Sequence, residues 1–251
     1  MRQLLLSLVS TMFLVAPVAG AQDLHFSSGA GQTVLVELFT SEGCNSCPPA
    51  EAYLNQFTAN PLLWKKFIPI AFHVDYWDYL GWKDRYAHPE HTQRQHQYAQ
   101  QRSVRTVYTP AFIVNGQGWR PSSSSGEPGG GGAPVGVLTV DLKGNQLEAT
   151  FKPSGAVSKT LQLNLAVLGM GLSTRIQGGE NAGRHSLHEF VVLARKQMNS
   201  DNGRWHGVVP TIESNWGAQR LALVAWVNQS GDQTPLQATG GYLPVQATGV
   251  R

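Results

Sequence analysis

Only two cysteines occur in the 251 residues, and both fall in one stretch, TVLVELFTSEGCNSCPPAEAYL, as Cys44 and Cys47. Thiols at this spacing can form a staple, hold a soft metal, or exchange disulfides with another protein. As a staple the pair is weak: on a chain-entropy account, closing a loop of about 4 residues contributes roughly 1.9 kcal/mol, against about 3 for a loop of 15. As a zinc clip it supplies two of four ligands, and His88, His91 and His96 fall on a polar face where solvated histidines are common. Copper is a nearer rival, because thiolates favour Cu(I) and His73 ends the apolar run FIPIAFHV beside the cysteine-bearing one. Disulfide exchange needs a stabilised thiolate, which the N-terminus of a helix provides. In that chemistry Cys44 attacks and Cys47, one turn into the helix, resolves the mixed disulfide.

The elements that must position the pair are legible as patterns. Gln32 to Thr40 holds the β-branched run VLVELF, a buried strand. Pro48 or Pro49 suits a first helical turn, and Ala50, Tyr53, Leu54 and Phe57 recur at helical spacing. Phe67 to Val74 reads as a second buried strand, and His88 to Arg102 as a largely exposed helix. VYTPAFIVNGQ then gives a strand that opens on Thr109-Pro110 and closes on an Asn-Gly turn. The tract PSSSSGEPGGGG cannot pack and reads as a flexible connection. Beyond it, VGVLTVDL, NQLEATFKP, LQLNLAVLGM, EFVVLARK, GVVPTIE and RLALVAWVNQ follow one another without helices, the pattern of an antiparallel sandwich. The divisions expected are 1–21 a signal peptide, 22–120 a domain carrying CxxC, 121–134 a Ser/Gly-rich linker, and 135–251 a β domain.

The signal peptide rests on Arg2, the apolar run Leu4 to Val18 and the small residues Ala19-Gly20-Ala21. Pro17 interrupts a run shorter than the roughly 20 residues of a bilayer span, so membrane insertion after cleavage is not expected. A periplasmic or secreted location follows, and it permits disulfides. The formal charge of +3 is small and scattered, which argues against nucleic acid and anionic membranes as partners.

The order strand, CxxC-helix, strand, helix, Thr-Pro-strand resembles the thioredoxin fold. The resemblance implies a cis-proline at Pro110 and a peptide-pairing residue at Thr109. It also implies a buried acid, Glu37, that helps move the resolving cysteine's proton. The chain is more closely similar to a secreted bacterial thioredoxin-like family catalogued as domain-of-unknown-function family 1223. ELFTSEGCNSCPPAE, FHVDYWDYLGWKDRYA, TQRQHQYA, VYTPAFIVNG and GGENAGRHSLHEFVV carry that likeness. It implies an α/β thioredoxin-like N-terminal domain followed by an all-β sandwich-like C-terminal domain. The helix that usually completes a thioredoxin domain is not visible after VNGQ, so the sheet is shortened or finished by the second domain.

Two clusters remain. HVDYWDYLGWKDRY interleaves Asp75, Asp78 and Asp84 with Tyr76, Trp77, Tyr79 and Trp82, and reads as a hydrophobic wrap over the core or as a docking platform. His185 and His188 with Glu180 and Glu189 fix no ligand geometry, and GGENAGR reads as an ordinary turn. The function expected is therefore thiol–disulfide oxidoreduction through Cys44 and Cys47 on protein thiols or disulfides, with no cofactor and no resident metal. A homodimer or partner would dock through the β domain. The alternatives are a periplasmic copper-binding protein using Cys44, Cys47 and His73, and a non-catalytic binding scaffold.

Overall fold

A computed structural model describes residues 23–121, 127–129, 132–157, 160–214 and 216–244. The expected signal peptide, 1–21, lies outside the described residues, as does much of the 121–134 tract. The N-terminal half contains β1 (Leu24–Ser27), β2 (Val34–Thr40), α1 (Pro48–Asn55), β3 (Phe67–His73), α2 (Pro89–Gln100), β4 (Ala111–Val114) and β5 (Gln117–Trp119). Among the described residues strands then follow without α-helices: β6 (Gly136–Lys143), β7 (Gln146–Pro153), β8 (Leu161–Met170), β9 (Leu172–Arg175) and β10 (His185–His188). The last four are β11 (Val191–Ser200), β12 (Arg204–Val208), β13 (Arg220–Gln229) and β14 (Pro235–Tyr242).

Eight strands form one mixed sheet in the order β14-β13-β8-β11-β3-β2-β4-β5. Its middle is the parallel pair β2 and β3, whose residues are all buried, as continuous apolar strands covered on both faces must be. β4 runs antiparallel to β2 and turns into β5 through Asn115 (φ 47°) and Gly116 (φ 82°), the positive-φ pair that a tight hairpin needs. A second sheet, β1-β6-β7-β12, covers one face of the first. Period-2 alternation divides the long strands between two cores. Leu163, Leu165, Leu223 and Ala225 face the second sheet, while Ala166, Leu168, Ala222 and Val224 join the core that holds β2, β3, Leu54 of α1 and Tyr98 of α2.

This arrangement corrects the expected fold class. The protein is not an α/β thioredoxin-like domain followed by a separate β sandwich: it is mostly strand, with α-helices of only 8 and 12 residues among those described. Strands from the second half continue the sheet begun by the first. The join is at β3, where Ala71 N–H donates to Phe190 O at 2.8 Å and Val191 pairs with Ala71 in parallel. The physical reason is an open edge. β3 presents unpaired backbone groups on the side away from β2, and β11 satisfies them. The sheet is thus finished by the second half of the chain, one of the two outcomes that the missing helix after VNGQ left open.

α2 also differs from its sequence reading. His91, Arg94, Gln95 and Tyr98 are buried, so one face of this polar helix points into the protein. Hydrophobic periodicity misses such a face because its stripe is built of hydrogen-bonding side chains.

Candidate functional site

Register alone gathers the site. Thr40 and His73, the last residues of β2 and β3, are partners across the parallel pair, and β4 begins at the same end with Ala111 opposite Phe39. β11 enters beside β3 there, so His188, three residues upstream, arrives at that end too. The loop after β2, residues 41–47, carries the cysteines, which are bonded to each other with Cα atoms 5.4 Å apart.

The loop is pinned by its own backbone. Cys44 N–H donates to Ser41 O at 3.1 Å and Cys47 N–H to Cys44 O at 3.2 Å. Helix α1 starts at Pro48, so Cys47 is its N-cap rather than a residue one turn inside. Pro48 and Pro49 carry no N–H, and the amides of Ala50 and Glu51 both donate to Cys47 O. No first-turn amide is therefore left to hold a Cys44 thiolate. Ser46 is placed for that task, its Oγ 3.4 Å from Cys44 Sγ. Both cysteines are buried, at 1 % and 0 % exposure.

Trp77 links this loop to the Thr109-Pro110 segment. A Cβ placed on Gly43 would lie 3.1 Å from Trp77 Cβ, so the tryptophan packs directly on the loop backbone. Its indole N–H donates to Thr109 Oγ1 at 2.7 Å, and the Thr109–Pro110 peptide is cis. The rest of the aromatic segment also turns inward: Tyr76 bonds Gln95 at 3.1 Å and Trp82 Nε1 donates to Glu42 Oε2 at 2.7 Å. Tyr79 alone among its aromatics stands out, at 78 % exposure.

Glu37 lies elsewhere, in the middle of β2. Arg94 grips it with two bonds of 2.7 and 2.9 Å, and Tyr98 O–H donates to it at 2.8 Å. Arg94 in turn lies against the rings of Phe72, Tyr98 and Trp226 and bonds Gln233. The acid is thus committed to a buried ion pair that ties β2 to α2 and to the 229–235 turn.

A different set of ionisable groups surrounds the cysteine loop: Glu42, Glu51, His73, Asp84 and His188, all buried. His73 Nδ1 meets Asp84 Oδ2 at 2.7 Å, and that carboxylate also accepts from the amides of Glu42 (2.8 Å) and Tyr86 (2.9 Å). His188 Nε2 meets Glu42 Oε1 at 3.1 Å. Its Nδ1 lies 3.0 Å from Glu51 Oε2 but out of line for a hydrogen bond, so we read that approach as an electrostatic contact. Glu51 Oε1 accepts from Thr40 Oγ1 at 2.6 Å. Asn181, from the turn between β9 and β10, clamps the loop by donating to the carbonyls of Glu42 (2.8 Å) and Cys44 (2.9 Å).

Burial disfavours the His188 cation, but Glu42 and Glu51 outweigh it and raise its pKa to about 10. Burial likewise opposes ionisation of Glu51 and Asp84, yet His188 and His73 respectively hold them below their ordinary values. His73 is raised, because Asp84 overcomes its desolvation.

The structure gathers Cys44, Cys47, Thr109 and Pro110 at one end of the sheet, with Trp77 among them. Sequence reasoning misses Glu42, Glu51 and Asn181. His188 was assigned to a turn and Asp84 to a hydrophobic wrap. The histidines of the polar segment do not join the cysteines: His88 caps α2 through Glu90 N–H, and His91 is buried with Nδ1 2.8 Å from His73 O. Burial and its hydrogen bond to a backbone carbonyl, not solvent, account for His91.

Fold and site together define a mostly-β protein whose central mixed sheet carries a CxxC disulfide beside a buried histidine–carboxylate cluster. The chain belongs to the family described as protein of unknown function (DUF1223), which it matches over residues 35–228. No curated protein matches it. It is similar to the crystal structure of a protein from Agrobacterium tumefaciens, with 24% identity, a TM-score of 0.60, and coverage of 89% of this chain and 98% of that one. It is also similar to HBP35 of Porphyromonas gingivalis, with 15% identity, a TM-score of 0.53, and coverage of 86% and 76%. Both likenesses concern the fold.

Proposed function

We propose that this chain is an extracytoplasmic thiol–disulfide oxidoreductase that exchanges disulfides with protein thiols through Cys44 and Cys47. The observation that carries the reading is the Cys44–Cys47 bond itself, formed across a separation of 3 residues between the chain's only cysteines. A ring so small adds little stability, roughly 1.9 kcal/mol, so its chemistry is a better reason for its presence than its strength.

In the oxidising direction, a substrate thiolate attacks Cys44 Sγ, the Cys44–Cys47 bond breaks, and Cys47 leaves as the thiolate. A second substrate thiolate then attacks the substrate sulfur of the mixed disulfide and releases Cys44, so the substrate loses two electrons and the protein gains them. In the reducing direction the Cys44 thiolate attacks a substrate disulfide and Cys47 displaces the substrate from Cys44. Because Cys44 is buried, exchange requires local opening of the 41–47 loop or of Trp77 packed on it. Thr109 and Pro110, tied to the loop through Trp77, are the proposed substrate-facing residues. Glu37 is left out of the proton path because Arg94 and Tyr98 occupy it. Location outside the cytoplasm rests on the N-terminal segment and on a compartment in which disulfides persist.

The test is trapping. The protein should cycle between dithiol and disulfide in glutathione buffers, with Cys47→Ser accumulating mixed disulfides and Cys44→Ser accumulating few. A wild-type pair that stays oxidised across the glutathione range, with no trapping by either variant, overturns the proposal. The copper alternative needs Cys44 and Cys47 as free thiolates, the state that the pair reaches only when reduced.

A further inference from the structure

We propose that Glu51, His73 and His188 form a binding site for a divalent metal ion of the zinc class, independent of the cysteine chemistry. Each offers one ligand atom, and the three atoms lie within 4.8 Å of one another. The histidine rings stand nearly at right angles, with centroids 5.2 Å apart and an interplanar angle of 81°.

The outer contacts distinguish this arrangement from a chance cluster. His73 is engaged at Nδ1 by Asp84 and His188 at Nε2 by Glu42, so each imidazole has a carboxylate on one of its two nitrogens. That leaves His73 Nε2 and His188 Nδ1, both buried without a hydrogen-bond partner, although His188 Nδ1 meets the Glu51 carboxylate at 3.0 Å. An unsatisfied polar atom inside a protein is costly, and His73 Nε2, beside that pair, calls for an occupant. A carboxylate behind each ligating imidazole is also the usual means of fixing tautomer and orientation in metal sites. Glu51 is oriented in the same way, by Thr40 on Oε1.

The cluster holds three buried acidic side chains, Glu42, Glu51 and Asp84, and a divalent cation taking the place of two ring protons leaves their charge compensated to the same extent. Two imidazole nitrogens and one carboxylate oxygen are a zinc-type set that leaves a fourth position for water or an exogenous ligand. Glu51, with 11% of its side chain exposed, is the ligand nearest solvent. Binding there releases ring protons, as it does at any histidine site.

The test uses the full protein with its disulfide intact, stripped with chelator and titrated with Zn2+ and Co2+. One equivalent should bind and raise the unfolding temperature, and Co2+ should show ligand-field bands without sulfur-to-metal charge transfer. E51Q should weaken Zn2+ by more than about 100-fold, since losing even an outer carboxylate costs about 10–100-fold. D84N, which keeps all three ligands, should fall in that outer-carboxylate range. The double variant Cys44→Ser, Cys47→Ser should still bind one equivalent, separating this site from the redox proposal. If wild-type protein binds no stoichiometric Zn2+ or Co2+, the site is refuted whatever the variants do. Loss of binding in the double cysteine variant, or wild-type affinity in both E51Q and D84N, overturns it equally.

Discussion

Ser46 decides how the Cys44 sulfur feels its surroundings, because the two prolines remove the amides that a helix start would otherwise offer. A hydroxyl that donates to the thiolate stabilises the reduced form and makes the disulfide a stronger oxidant. Ser46→Ala should therefore lower the reduction potential by about 10–30 mV, the equivalent of one modest hydrogen bond. An unchanged midpoint in glutathione buffers would remove Ser46 from the mechanism. The Glu37–Arg94 pair belongs to stability instead. Glu37→Leu or Arg94→Met alone leaves one buried partner unmatched and should cost about 3–5 kcal/mol in urea unfolding, whereas Glu37→Leu combined with Arg94→Met should cost far less than the sum. If the double variant is as damaged as the sum of the singles, the residues are not acting as a pair. Residue types flagged Cys44 and Cys47 at once, because chemistry at a CxxC is local. They do not reveal what the buried Glu37 pairs with, an arginine 57 positions away.

Two elements carry the access question. The segment after β3 brings Trp77 onto Gly43 and Thr109, and the β9–β10 turn brings Asn181 onto the carbonyls of Glu42 and Cys44. Removing the indole lowers the cost of opening the loop, so Trp77→Ala should speed reduction of the disulfide by a small-molecule thiol about tenfold, the equivalent of about 1.4 kcal/mol. Stopped-flow or alkylation-quench kinetics reads this directly, and an unchanged rate means that Trp77 does not gate the sulfurs. Strands and hairpins were legible here because period and turn chemistry are local, as at Asn115-Gly116. The buried face of α2 was not, since its inward residues are polar and only their partners on β2 and in the 229–235 turn reveal it.

At the scale of the molecule, the parallel contact between β3 and β11 makes one sheet of two halves. Phe190 delivers the first bond of that contact and is fully buried, with Trp64 against its ring. A fragment of residues 23–121 would expose the edge of β3 and the core face that β8, β11 and β13 cover. It should therefore fail to unfold cooperatively, and the whole chain should unfold in a single transition. A fragment with a sharp thermal transition and native-like near-ultraviolet signal would show that the N-terminal half folds alone.

Local pattern is enough for the cysteine pair, the strand and helix that flank it, the Thr-Pro strand with its Asn-Gly turn, and the β-rich character of the second half. Each is written in neighbours a few positions apart, within reach of spacing and propensity. It takes the folded chain to show that the halves share a sheet, that Glu37 answers Arg94, and that His188 meets Glu42, Glu51 and His73 beside the cysteines. Those outcomes depend on which distant backbone edge is left unpaired and which buried charge lacks a counterpart, and both demands are met through space by residues from 57 to 146 positions away.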